Sequence, residues 1–248
     1  MTEQKNIAQF VVRDWGAWAP GLNSREDWRQ WSLGSLPIGT ENPPSPKAVP
    51  KSLLRRLSPL ARAVLSAVGQ CVEEGDTLPA VFSSSHGEIV KSLQMLETLQ
   101  AGDELSPTAF SLSVHNAISG LFSIVYGNRQ EISVIAPGND GMASGFIEAL
   151  GLLQEGHSAV LLVFYDEPLP TFYAVEPFKL NLAFPCALAL KLAQTGEGRS
   201  LCFGRSASSR YDGEQPLQLP AFIDFLLSEE DILQLGNAGH SWQWRKIS

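Results

Sequence analysis

Two short runs constrain this chain more than any other feature. Residues 158–165, SAVLLVFY, and residues 184–193, AFPCALALKL, are almost wholly apolar. A strand with one face in water alternates polar and apolar residues. A run without alternation reads as a strand buried on both faces, as in parallel sheets covered by helices. Between Pro50 and Glu74 apolar residues recur at three and four (Leu53, Leu54, Leu57, Leu60, Ala61, Val64, Leu65, Val68), which predicts an amphipathic helix interrupted near Pro59. LPAVFSS (78–84) reads as a short buried strand broken by His86–Gly87. Residues 88–99 read as a helix with Ile89, Leu93, Leu96 and Leu99 on one face, and Ser106–Pro107 as a helix start. A small-residue apolar segment from Ala109 to Tyr126 ends at a Gly127–Asn128 turn. Then come a strand at 132–136 (ISVIA), a turn at 138–141 (GNDG), a helix from Met142 to Gln154, a short strand near 201–204 (LCFG) and a helical tail from Pro220 to Leu235. Strands alternating with helices predict a layered α/β domain around a largely buried sheet.

The first fifty residues read differently. Ile7 to Val12 predicts a first strand. Trp15, Trp18, Trp28 and Trp31 then fall in an irregular stretch, where they are expected to cap a core or bury a subunit interface. Residues 37–50 carry five prolines and little apolar pattern, which predicts an extended loop. Residues 1–50 are therefore expected to be a Trp/Pro-rich extension of a single domain spanning 1–248.

Charge and motif content exclude several function classes. The net charge of −8 leaves no basic stripe to neutralise phosphates, so nucleic acid is not an expected partner. The start, MTEQKNIAQFVV, lacks the pattern of a signal peptide, and no apolar run is long enough to span a membrane, so a cytoplasmic protein is expected. Cys71, Cys186 and Cys202 are odd in number and sit in apolar surroundings, as reduced core thiols do. His86, His115, His157 and His240 show no metal-ligand spacing, and no phosphate loop or hydrolase motif occurs, so neither a metal nor a cofactor is expected. The neighbouring acids Asp166 and Glu167 could form a general acid/base pair, but adjacent strand-end residues point apart, so a solvated turn is expected there.

The stretch 106–150 carries the most information. Ser106–Pro107, Asn116, Ser119–Gly120, Tyr126–Gly127 and Ile132–Ala136, followed by the helix Ser144–Leu153 and the strand Ala159–Phe164, resemble the β-ketoacyl synthases of the thiolase superfamily. The string SVHNAISG, with the Trp-rich start and YDEPLP, is similar to a smaller family of β-ketoacyl synthase N-terminal-domain proteins. That family is associated with aryl polyene and related pathways and is described as chain-length-factor-like. The resemblance implies half of a thiolase-like fold, α-β-α in layers around a mixed five-stranded sheet, with the second half missing. It puts Asn139 at the position of the family's nucleophilic Cys. Asn has no thiolate to accept an acyl group, so loss of the condensing activity is implied and no catalytic residue is expected.

The same resemblance implies a heterodimer with a full-length β-ketoacyl synthase. The strand Ile132, Ser133, Val134, Ile135 and Ala136 would be the interface edge. Phe110, Leu112, His115, Asn116 and Leu121 are the candidates for the end of the partner's acyl tunnel. The acyl carrier protein would act through the partner, because this chain is itself acidic. Two alternatives stand beside this reading: a stand-alone decarboxylase or hydrolase of thioesters using Asn139, Asp140 and His115, and a structural homodimer through the 132–136 edge.

Overall fold

The computed structural model describes residues 6–73, 75–173, 183–206, 218–237 and 240–247. In chain order the elements are β1 (Asn6–Trp18), α1 (Arg25–Ser32), α2 (Lys51–Leu54), α3 (Pro59–Val68), β2 (Ala80–Ser83), α4 (Ile89–Ala101), α5 (Pro107–Ser111), α6 (Ala117–Tyr126), β3 (Ile132–Ile135), α7 (Met142–Gln154), β4 (Val160–Asp166), β5 (Cys186–Ala193), β6 (Arg199–Arg205), α8 (Gln218–Leu227), β7 (Ile232–Asn237) and β8 (His240–Lys246). The helix predicted around Pro59 is interrupted as expected. Ser58 caps α3 by accepting a 2.9 Å bond from the Ala61 amide, and Pro59 takes the first helical position, where its missing N–H costs nothing.

The strands form one mixed sheet in the order β3-β2-β4-β5-β1-β6-β8-β7. Strand β2 runs parallel to β3 and β4, and every other pairing is antiparallel. Among the described residues the sheet thus has eight strands where five were expected. The predicted helical tail stops at Leu227 because the polar run SEED follows it, and Leu233 and Leu235, two apart, belong to β7 instead. The first fifty residues are also more than an extension. Strand β1 lies inside the sheet, paired on one side with β5 and on the other with β6, and Trp18 and Trp28 are fully buried.

Helices cover both faces, giving the expected α-β-α layers. On β4, Val160, Leu162 and Phe164 join the cluster under α7 and α8, while Leu161, Val163 and Tyr165 join the one under α3 and α6. On β5 the leucines 188, 190 and 192 fill the first cluster, and Ala187 and Ala189 leave room in the second for Ala61, Ala63 and Ala67 of α3. Both apolar runs are therefore buried on two sides, for the reason their composition implied.

Phe146 of α7 is the centre of the larger cluster, with ring centroids 5.3–5.8 Å from Phe10, Phe164, Phe203, Phe222 and Trp244. Phe146→Ala should lower the unfolding free energy by about 3–5 kcal/mol. Leu33→Ala, at a residue 70% exposed, should change it by under about 0.5 kcal/mol. Urea unfolding of the two variants beside the parent chain checks both values.

Candidate functional site

The parallel strands β2, β3 and β4 end on one edge of the sheet, the edge where open α/β sheets place their sites. The chain leaving β2 turns at once, and a polar cluster forms there. Ser84 Oγ and the Ser85 amide each donate a 2.9 Å bond to Asp166 Oδ1 at the end of β4. Ser84 Oγ also accepts from the Gly87 amide at 2.8 Å. His115 lies 2.9 Å from the Ser84 carbonyl through Nε2. A carbonyl only accepts, so Nε2 carries the proton. Gly87 makes this approach possible: its φ is +57°, and a Cβ there would lie 3.0 Å from the His115 ring.

Glu88 follows at the start of α4 and is almost fully buried. Its Oε1 accepts a 2.6 Å bond from Ser58 Oγ, with Lys91 Nζ at 3.8 Å, while Oε2 has no hydrogen-bond partner. Burial pushes its carboxyl upward. Burial likewise pushes Asp166 up to about 6, against the serine bonds that hold it down, and Glu167 up to about 7, with the Glu88 charge adding to the effect. His86 is held below its ordinary range by burial and by His115. Asp166 and Glu167 were expected in a solvated turn. Instead they are half-buried and belong to this cluster, because β4 delivers them beside the β2 turn. Chemically, the cluster can exchange protons near neutral pH.

Asn139 lies past the end of β3 in a single 3-10 turn, Gly138–Asp140, and is exposed. The turn is braced from the far end of the chain. Gln218 Oε1 accepts from the Met142 amide at 2.9 Å, and Asp140 Oδ1 accepts from Trp242 Nε1 at 2.8 Å. The first free amide of α7, which would favour an anion there, is thus already bonded. Neither Gln218 nor Trp242 carried a sequence signal, since contacts so distant in the chain leave no periodicity. The three cysteines are free and buried; burial pushes Cys71 up to about 12 and also raises Cys186.

The other predicted residues separate. Phe110 in α5 is 56% exposed and Leu112 half-buried. Asn116 precedes α6 with no side-chain capping bond, and Leu121 is core, packed with Ile118 and Phe122. Helices α4 and α5 bury none of their residues, and the groove between them holds about 510 Å³, lined in part by Met95, Leu105, Ala109 and Leu112. Ile132, Ser133, Val134 and Ile135 form β3, at the end of the sheet and, among the described residues, paired only with β2; Ala136 lies just beyond it, exposed. The described residues that could offer a metal three ligand atoms are Glu131, Glu155 and His157, a largely exposed group in which His157 already bonds Glu131 at 3.1 Å. No helix among the described residues is long and apolar enough to cross a membrane.

Residues 28–245 match the family model described as β-ketoacyl synthase, N-terminal domain. One chain of the Xenorhabdus doucetiae complex of the ketosynthase ApeO with its chain length factor ApeC is 30% identical, with a TM-score of 0.78 over 96% of this chain and 99% of that one. The ishigamide ketosynthase/chain length factor matches at 14% identity and TM-score 0.60, over 79% of this chain and 65% of that one. A β-ketoacyl synthase from Burkholderia phymatum STM815 matches at 12% and 0.61, over 89% and 71%. The last two relate the fold alone. No curated protein matches the chain.

The raised carboxyls have a consequence for stability. Asp166 and Glu167 titrate in the folded chain above their ordinary values of 3.8 and 4.5. The folded state therefore binds more protons than the unfolded one. Their contribution is most favourable in acid and is lost as pH rises from about 4 through about 7. His86 acts in the opposite sense, so the readout is the difference between two proteins. From pH 5 to 8 the thermal midpoint of Asp166→Asn should rise relative to that of the parent chain. Parallel profiles would refute the assignment.

Proposed function

The chain belongs to the β-ketoacyl synthase N-terminal-domain family, and on that premise we propose that it is a non-condensing, chain-length-factor-like subunit. It pairs with a full-length β-ketoacyl synthase and limits the length of the acyl chain grown there. The observation that carries this reading is the turn after β3. A condensing subunit needs a thiolate at the start of α7. This turn holds Asn139, closed by Gln218 and Trp242, and the chain's three thiols are all buried. The near-complete match to a chain of a ketosynthase and chain length factor complex supports the same assignment.

Two surfaces suit the partner. Among the described residues the apolar edge of β3 has no strand on one side, an aggregation hazard unless something covers it. Exposed Leu96, Leu99, Phe110 and Val114 lie on or just after α4 and α5. Phe110 and Leu112 then act as a steric stop: a longer acyl chain would have to displace them, at a cost of about 1–3 kcal/mol. The acyl carrier protein delivers its chain to the partner synthase. The thioester-hydrolase reading is weaker, because Asp140 is engaged by Trp242 and His115 by the Ser84 carbonyl.

Co-expression with ketosynthases of the same genome, followed by size-exclusion chromatography with light scattering, tests this assignment. A one-to-one complex is expected, and Phe110→Ala or Leu112→Ala within it should lengthen the product by mass spectrometry. A chain that stays monomeric or homodimeric beside every ketosynthase, or that turns over an acyl thioester alone, overturns the proposal.

A further inference from the structure

A second feature lies inside the sheet, away from the β3 edge. The pairing of β1 with β5 shifts register between Val12 and Asp14, so Arg13 sits at a β-bulge. Bulges re-aim side chains and are common beside binding sites. The Arg13 guanidinium rests on the β5–β6 turn, where a Cβ on Gly196 would lie 2.5 Å from it. In the same turn Gly198 has φ +138°, and its Cβ would come within 2.3 Å of the Val12 carbonyl oxygen. Gly198 thus meets the backbone of the bulge too closely for any side chain, while Gly196, at φ +123°, lets the Arg13 guanidinium lie against the turn.

Around this contact is a pocket of about 340 Å³ whose walls include Arg13, Arg25, Arg29 and Arg199. Those are four of the chain's 18 lysines and arginines, gathered in one place on a protein of net charge −8. Two of them are committed. Arg25 bonds Asp14 and the Trp15 carbonyl and lies 5.4 Å over the Trp15 ring, and Arg29 pairs with Glu26. The side chains of Arg13 and Arg199 make no salt bridge or hydrogen bond among the described residues, and the charge of Arg199 also acts on Lys246. The acids nearest in sequence to that pair are Asp14, already bonded to Arg25, and Glu197, on the exposed turn. Among the residues lining the pocket, four arginines thus stand against a single carboxylate, Asp14.

We propose that this pocket binds the phosphate group of a small molecule. Planar guanidinium forks match the oxygens of phosphate and bind them bidentately, and several can share one group. The volume lies at the lower end of the range for small-molecule sites, roughly 300–1,000 Å³, which suits a phosphorylated metabolite rather than a protein surface. Trp15, Leu226 and Leu227 give the pocket an apolar wall for the rest of such a ligand. Strand β1 is four strand spacings from β3, about 19 Å, so this site is independent of the edge assigned to the partner synthase.

Isothermal titration of the full chain with inorganic pyrophosphate tests the proposal. Saturable one-to-one binding is expected. Arg13→Gln and Arg199→Gln should each weaken it about tenfold or more. Arg129→Gln, at an exposed arginine outside the pocket, should leave it unchanged. On the unaltered chain, inorganic phosphate should displace the pyrophosphate while chloride at equal ionic strength should not. No saturable binding, or binding that survives both pocket substitutions together, overturns the proposal. Association with a ketosynthase, measured on the same variants, should persist, so failure here and failure of the partner assignment are separable.

Discussion

Five aromatic rings converge on Phe146 where α7 lies against the sheet, and the rest of the structure is organised around that meeting. The rings come from β1, β4, β6, α8 and β8, so one side chain joins the start, the middle and the end of the sequence. Offset and tilted ring pairs contribute about 0.5–1.5 kcal/mol each beyond the area they bury, and they fix orientation as well as depth. Fixing α7 also fixes the 3-10 turn before it, because Gln218 of α8 and Trp242 of β8 hold that turn from the same side of the sheet. The geometry of the polar edge is therefore inherited from an apolar centre.

At that edge the fold does something a solvated surface would not. It brings Glu88, Asp166 and Glu167 together where two parallel strands end, and supplies Ser58, Ser84, Ser85 and Lys91 around them. Burial disfavours the charged forms, and the short bonds from serine only partly offset it. The outcome is a set of carboxyls protonated over a range where ordinary surface acids are charged. At the other site Arg25 and Arg29 are paired with Asp14 and Glu26, while the Arg13 and Arg199 side chains have no salt bridge among the described residues.

Much of this architecture was legible in the sequence, for identifiable reasons. The strands 158–165 and 184–193 announced themselves because burial on both faces removes alternation. Ser106–Pro107 marked a helix start and Pro59 an interruption, because capping and proline geometry are local chemistry. Residues Met142 to Gln154 formed the predicted helix to its boundaries. What could not be read depended on distant pairing. Residues 232–235, the start of β7, read as the end of the helix from Pro220, since leucines two apart and leucines three apart are easily confused over so short a run. The place of β1 inside the sheet was hidden because its partners are β5 and β6. The polar cluster was misread for the same reason: Asp166 and Glu167 look like a turn until β4 sets them beside Ser84.

The position of β1 also imposes a timetable. This strand is made long before β5, and Val11 has no β5 partner until Ala193 has been made. At about 5–20 residues per second, synthesis of the intervening chain occupies on the order of ten to forty seconds. During that time Phe10, Val11 and Val12, all buried in the finished protein, have nowhere to go. The sheet thus closes when β5 and β6 come to lie on either side of β1. Until β5 is made, three apolar side chains of β1 thus lack the sheet that buries them.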